Sequence, residues 1–121
     1  MIRIGTDIVK VSRMAFFMEK PERLKRIFSS NEISQCLKKA RPRESFGARF
    51  AAKEAFFKAL GSGVSNQGIH FLDVEILNDE TGRPVCYPSE KIKSRFSIQA
   101  SDVSLSHEQE YAISSILLVL S

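Results

Sequence analysis

The run Arg49-Phe50-Ala51-Ala52-Lys53-Glu54-Ala55-Phe56-Phe57-Lys58-Ala59-Leu60, closed by Gly61-Ser62-Gly63, constrains the fold more than any other stretch. Its Ala, Leu, Lys, Glu and Arg favour helix, and Gly61 stands where a helix stop belongs. The pattern predicts the second half of a helix that starts near Arg43. At ~100° per residue, Phe46, Phe50 and Phe57 fall on one narrow stripe. Ala48, Ala51, Ala52, Ala55 and Ala59 cover much of the opposite side. A helix with a large-residue face and a small-residue face packs on both sides, so this one belongs at the centre of the fold.

Glu54 lies between the two faces. A carboxylate there is costly to bury alone and needs a partner. Lys58, at i+4, offers a plain salt bridge. The other reading is a metal or proton-transfer carboxylate on a rigid element, and spacing does not choose between them. Arg49 and Lys53 form a second i, i+4 pair in another polar window, which reads as a solvated basic edge.

The rest of the chain supplies what packs on this helix. Residues 2–9 read as a strand, with Ile2, Ile4 and Ile8 on alternate positions. Gly5 interrupts it, which permits a bulge or a close backbone approach. Asp7 is out of place in such a run. It is either a strand-end carboxylate bonded to nearby amides or a metal ligand. Short helices are expected over 13–19, capped by Ser12, and from Pro21 to about Phe28. Ser29-Ser30-Asn31-Glu32 marks a stop and restart. A third helix follows over about 31–40, with Ile33 and Leu37 inward and Cys36 beside them, until Arg41-Pro42-Arg43 breaks it. Beyond Gly63 come a glycine-bounded loop, a strand at 74–77, a turn at 78–82 and a return strand at 83–87. Pro84 marks an edge position in that strand. A helix from about Ser89 to Phe96 precedes strands over 102–107 and 111–120. Helices crowd the first half and strands the second. That pattern predicts an α+β fold, with an antiparallel sheet packed on the long helix.

At 121 residues the chain reads as one domain, 1–121. A composition of 43% hydrophobic and 26% charged residues is that of a globular protein, and no apolar run is long enough to span a membrane. The start, MIRIGTDIVK, lacks the apolar stretch of a signal peptide. Cys36 and Cys86 have no metal-ligand spacing and are expected as free thiols in a reducing cytoplasm. Charge is uneven. Residues 1–58 carry 14 Lys/Arg against 6 Asp/Glu, while residues 59–121 carry 4 against 8. Such asymmetry suggests an anionic partner for the first half. Arg13, Arg23, Lys25 and Arg26, interleaved with Phe16, Phe17 and Met18, suit an acidic protein surface as well as a nucleic acid.

Asp7 and Glu54 are the two acids set against apolar surroundings, and they meet if the first strand lies on the central helix. Paired carboxylates with few other ligands suit Mg²⁺, and no His/Cys cluster competes for zinc. Lys58 and the Gly61–Gly63 turn follow directly. That turn sits at a helix C-terminus, where the macrodipole disfavours anions, so local physics favours Gly61 as a simple cap. His107, at a strand end, either binds phosphate or bonds a turn carbonyl.

Taken as a set, these residues carry a resemblance. Gly5-Thr6-Asp7-Ile8-Val9 with Arg13, then Arg49-Phe50-Ala51-Ala52-Lys53-Glu54-Ala55-Phe56 running on to Lys58-Ala59-Leu60-Gly61-Ser62-Gly63, are followed by Gly82 with Pro84, and by Ser104-Leu105-Ser106-His107 with Tyr111-Ala112. In this order, over nearly the whole chain, they resemble the 4′-phosphopantetheinyl transferase family in its small bacterial, holo-[acyl-carrier-protein] synthase type. The central helix motif is highly specific. Ser62 stands where Thr is commoner, and Phe57 occupies a variable position.

The resemblance implies a fold and an activity. Such enzymes move the phosphopantetheine arm of coenzyme A to a serine of apo acyl carrier protein for fatty acid biosynthesis, releasing adenosine 3′,5′-bisphosphate. It implies Asp7 and Glu54 as ligands of Mg²⁺ on the coenzyme A pyrophosphate, and Lys58 as the cation that neutralises the leaving phosphate. Arg49, Lys58, Gly61, Ser62, Gly63, Pro84 and His107 match the family's coenzyme A contacts. Arg13, Phe17, Met18, Arg23 and Arg26 lie where the acidic carrier helix docks. Larger relatives join two such units in one chain, so a single unit should make its sites between subunits, and the resemblance to the small members, which are trimers, implies a homotrimer. A basic nucleic-acid-binding module is the competing reading. It accounts for the charge but not for the two acids.

Overall fold

The computed structural model describes residues 1–61 and 68–121. Its spine is helix α4, Pro42–Leu60, with Pro42 in the first turn and Gly61 as a left-handed cap at φ 76°. The expected C-cap role of Gly61 is observed. Ser62 and Gly63, the rest of that turn, lie outside the described residues. Two apolar clusters meet on α4. Phe46, Ala48, Phe50 and Ala51 pack with Val9, Val11, Met14, Leu24, Ile27 and Phe28. Ala52, Ala55, Phe56, Phe57 and Ala59 pack with Val74, Ile76, Ile92, Val103, Ile116 and Leu118. The alanines let the strands approach, and the phenylalanines fill the wider gaps. The helix is central, as its two faces require.

Strand β1 is Ile2–Lys10, and the chain then turns through a 3-10 segment, Val11–Arg13, into α1, Met14–Met18. Helices α2, Pro21–Ile27, and α3, Ser30–Leu37, complete the helical half. Ser29 and Glu32 form a reciprocal capping box at the start of α3. After a short 3-10 turn, Phe71–Asp73, come the hairpin strands β2, Val74–Asn78, and β3, Pro84–Pro88, then α5, Glu90–Phe96. Strands β4, Ile98–His107, and β5, Tyr111–Leu120, end the chain. The main sheet is antiparallel in the order β1-β5-β4, and β2-β3 is a separate pair. This is the α+β arrangement of an antiparallel sheet on a long helix.

Strand β1 shows its inner face to α4 through Gly5, Asp7 and Val9. Its apolar stripe, Ile2, Ile4 and Ile8, points outward and is 60–70% exposed. On the neighbouring strand, Leu117 stands opposite Ile4 and Ile113 opposite Ile8, both about 40% exposed. The sheet therefore presents an apolar outer face to solvent.

Two expectations need correction. Leu37 points outward, since α3 ends there, while Cys36 is buried in the core and Ile33 packs against it. Arg49 and Lys53 do not form a solvated edge, because both are fully buried. Lys53 Nζ donates to Glu32 Oε1 at 2.8 Å, Val74 O at 2.8 Å and Phe71 O at 3.0 Å, which uses all three ammonium hydrogens. The other Glu32 oxygen accepts from Ile76 N. A helix wheel cannot foresee this, because the partners arrive from α3 and β2. The capping-box spacing of Ser29 and Glu32 was the visible signal that Glu32 is held, though not by what.

Candidate active site

The site begins at Gly5. A Cβ on Gly5 would lie 2.0 Å from Ala55 O and 2.8 Å from Ala59 N, both backbone atoms of α4. Only glycine lets β1 come this close to the helix. The close contact sets Asp7, two residues further along the same face, beside the outer turns of α4.

There Asp7 Oδ1 accepts from Lys58 Nζ at 3.0 Å, and the same ammonium donates to Thr6 O at 3.1 Å. Lys58 is thus paired with Asp7, not with Glu54 one turn earlier on its own helix. Among the described residues the Glu54 carboxylate makes no hydrogen bond or ion pair. Its carboxyl is pushed above the usual carboxylate range, first by burial and then by the negative charge of Asp7, against the opposing pull of Arg13 and Lys58. Two carboxylates, one lysine and one arginine thus share a half-buried corner, as the sequence anticipated for Asp7 and Glu54. The corner is an all-oxygen donor set beside a cation. Among the described residues no cluster of three or more His, Cys, Asp or Glu accompanies it.

Three of the expected coenzyme A contacts, Arg49, Pro84 and His107, gather elsewhere. A cavity of about 670 Å³ is lined by Arg49, Pro84 and His107, with Glu44, Asn78, Gly82 and Lys39. Among the described residues His107 bonds a carboxylate, not a turn carbonyl. Its Nδ1 lies 2.9 Å from Glu44 Oε1, and Glu44 Oε2 accepts from Arg41 at 3.4 Å. Arg49 forms the cavity's inner wall, where its guanidinium meets Cys36 Sγ at 2.6 Å, Asn78 Oδ1 at 2.7 Å and Gln35 Oε1 at 3.0 Å. Burial pushes the Cys36 thiol up, against the pull of the Arg49 charge. Glu44, Gln35 and Asn78 were missed by the sequence reading. Each acts through a partner distant in sequence, and none sits in a recognisable motif.

The helical half flanks the Asp7–Glu54 corner. The Arg13 guanidinium lies over the Phe50 ring, 5.4 Å from its centroid, and Phe17 stacks on the same ring. Arg23 donates to Glu19 and to Phe16 O and covers the Phe16 ring at 3.9 Å. Met18 is half-buried and Arg26 is exposed. Arg13 stands in the turn before α1, Phe17 and Met18 on α1, and Arg23 and Arg26 on α2.

Residues 3–115 match the model of the 4′-phosphopantetheinyl transferase superfamily. The holo-[acyl-carrier-protein] synthase of Chloroherpeton thalassium is 40% identical over 119 residues, covering 97% of each chain. The crystal structure of Helicobacter pylori holo-[acyl-carrier-protein] synthase in complex with coenzyme A matches with a TM-score of 0.86 at 32% identity, over 96% of this chain and 99% of that one. The Bacillus anthracis holo-(acyl-carrier-protein) synthase in complex with coenzyme A (3′,5′-ADP) matches with a TM-score of 0.80 at 32% identity, over 98% and 96%. No helix among the described residues is long and apolar enough to cross a membrane. Sequence, fold and comparisons agree that the chain belongs to the 4′-phosphopantetheinyl transferase superfamily, in its holo-[acyl-carrier-protein] synthase family.

Proposed function

We propose that this chain transfers the 4′-phosphopantetheine arm of coenzyme A to a serine of apo acyl carrier protein in the cytoplasm, releasing adenosine 3′,5′-bisphosphate, and so serves fatty acid biosynthesis. The observation that carries the reading is the Asp7, Glu54 and Lys58 cluster at the β1–α4 contact. The named relatives support the reaction class.

The cluster fits a hard divalent cation. Its donors are carboxylate oxygens, and the Glu54 carboxyl is destabilised as an anion by burial and by Asp7, a penalty that a bound dication relieves. Asp7 and Glu54 would hold Mg²⁺, which supplies charge neutralisation at the pyrophosphate when bound. Lys58, fixed by Asp7 and Thr6 O yet 57% exposed, presents a positive charge to the phosphate that departs. Phosphoryl transfer rests on such placed charge more than on covalent chemistry. Arg13, Phe17, Met18, Arg23 and Arg26 receive the acidic carrier helix and bring its serine to this corner. Gly61, Ser62 and Gly63 belong to the coenzyme A contacts.

Arg49, Pro84 and His107 complete the coenzyme A site, but from another copy of the chain. Nine residues separate Arg49 from Lys58 on α4, which is ~900° of rotation, half a turn out of phase, and ~13 Å along the axis. One subunit thus turns its carboxylate corner and its Arg49 cavity in opposite directions. A homotrimer closed over the outer face of Ile2, Ile4, Ile8, Ile113 and Leu117 brings the corner of one copy to the cavity of the next. A fully active monomer in light scattering refutes this assembly.

The decisive assay mixes the protein with coenzyme A and apo acyl carrier protein, with and without chelator. Mass spectrometry then reads the carrier for a metal-dependent gain of the phosphopantetheine arm. An unchanged carrier under all conditions refutes the function, and transfer undiminished by chelator refutes the metal. The nucleic-acid reading has no support in the family assignment. Tight, salt-sensitive DNA or RNA binding without carrier turnover would restore it.

A further inference from the structure

Arg49 is 1% exposed, and among the described residues no carboxylate lies within ion-pair distance of it. This is unusual, because buried charges are ordinarily paired. The cavity has a carboxylate of its own in Glu44, but that group is taken by His107 and Arg41. The acceptors that do hold Arg49 are all neutral. Both hydrogens of Nη2 are used, one on Gln35 Oε1 and one on Asn78 Oδ1, and Nη1 gives one to Cys36 Sγ.

The two amides are themselves locked. Gln35 Oε1 also accepts from Asn78 N at 2.9 Å, and Gln35 Nε2 donates to Asn78 O at 3.0 Å. The α3 side chain thus grips the end of β2 at both backbone groups of one residue. Asn78 Nδ2 donates to Gly82 O at 3.0 Å, which fixes the amide with its oxygen toward Arg49. Every part of the clamp is oriented, and none of it carries negative charge.

We propose that Gln35 and Asn78 are positioning residues for coenzyme A binding, holding the Arg49 guanidinium at the cavity wall without neutralising it. Its full charge is left for an anionic group of coenzyme A. An aspartate or glutamate at either position would hold the arginine as well and cancel what the ligand needs. The inference rests on the proposed function, since it takes coenzyme A as the ligand. It goes further in assigning the choice of amide over acid at two positions to ligand affinity rather than to folding.

The test is Asn78→Asp, which keeps the acceptor and its size, gives up the Nδ2 donor to Gly82 O and adds one charge. Asn78→Leu serves as its partner, losing the same donor and also the acceptor to Arg49 without adding charge. Calorimetry with coenzyme A alone reads Kd, thermal unfolding reads stability, and steady-state kinetics read KM and kcat. The expected result is a Kd for coenzyme A weakened about tenfold or more in Asn78→Asp at low salt, as a cancelled unit charge at hydrogen-bond distance implies. KM for coenzyme A should rise with it, while kcat and KM for the carrier stay within about twofold. Asn78→Leu should weaken Kd less than Asn78→Asp does. Unchanged binding by Asn78→Asp, or equal losses in the two variants, overturns the inference. Gln35→Glu repeats the test should Asn78→Asp not fold, and failure of both to fold assigns the amides to folding and overturns it too. A wild-type protein that does not bind coenzyme A overturns the proposed function instead, so the two failures are told apart.

Discussion

Gly5→Ala is the substitution that most directly tests how the fold builds the site. A Cβ at this position would stand 2.0 Å from Ala55 O, where ordinary contact begins at 3.4 Å. The obstacle is helix backbone and cannot rotate aside. Strand β1 must therefore retreat by about 1.4 Å along that contact, the difference of the two distances. Overpacking of this kind costs about 1–3 kcal/mol. With an unfolding entropy of ~2.1 cal/mol/K per residue, a 121-residue chain loses ~4–12 °C in Tm. The retreat also carries Asp7 away from Lys58, now 3.0 Å apart, and away from Glu54. Misplacement of about 1 Å at a reacting centre costs ~100-fold in rate. The assay pairs thermal unfolding with kcat/KM for transfer, in a variant whose circular dichroism is that of the parent. Gly47→Ala is the control, since its Cβ meets nothing closer than Val11 Cγ2 at 3.5 Å. In mid-helix that change should stabilise by about 0.5–1 kcal/mol and leave activity intact. Parental Tm and activity in Gly5→Ala, or equal damage from Gly47→Ala, would refute the reasoning.

Three further outcomes are expected. Glu54→Gln should abolish transfer yet raise Tm in metal-free buffer. The folded carboxyl titrates above its unfolded value, so its penalty grows as pH rises through that window and is fully present above it. Mg²⁺ should raise the Tm of the parent and not of the variant, and an equal metal response in both would remove Glu54 as a ligand. Arg26→Glu should raise KM for the carrier far more than KM for coenzyme A, increasingly so as ionic strength falls. Arg13→Glu should do more, because the Arg13 charge also acts on Glu54; equal losses for both substrates would place these residues in the coenzyme site or the fold. Lys53→Met should cost about 3–5 kcal/mol, since it leaves Glu32 buried without its cation. Denaturant titration measures this, and a loss below about 1 kcal/mol would mean that the pair contributes little beyond a neutral replacement.

By itself the sequence marked most of the elements and carried the family. Helix periodicity and Gly61 marked α4 and its end, because those signals are local and repeat every turn. The two-sided face of α4 placed it at the centre. Asp7 and Glu54 stood out because carboxylates in apolar runs need a reason. The order of motifs along the chain then carried the family. Pairing was decided only by tertiary structure. Lys58 reaches Asp7 rather than Glu54 because Gly5 lets β1 into contact with α4, a fact about two segments fifty residues apart. Arg49 and Lys53 looked solvated on a helix wheel, yet α3 and β2 bring Gln35, Asn78 and Glu32 to cover them. Periodicity reports which face of an element is apolar. It does not report which polar groups other elements will bring, and burial of charge depends on those groups.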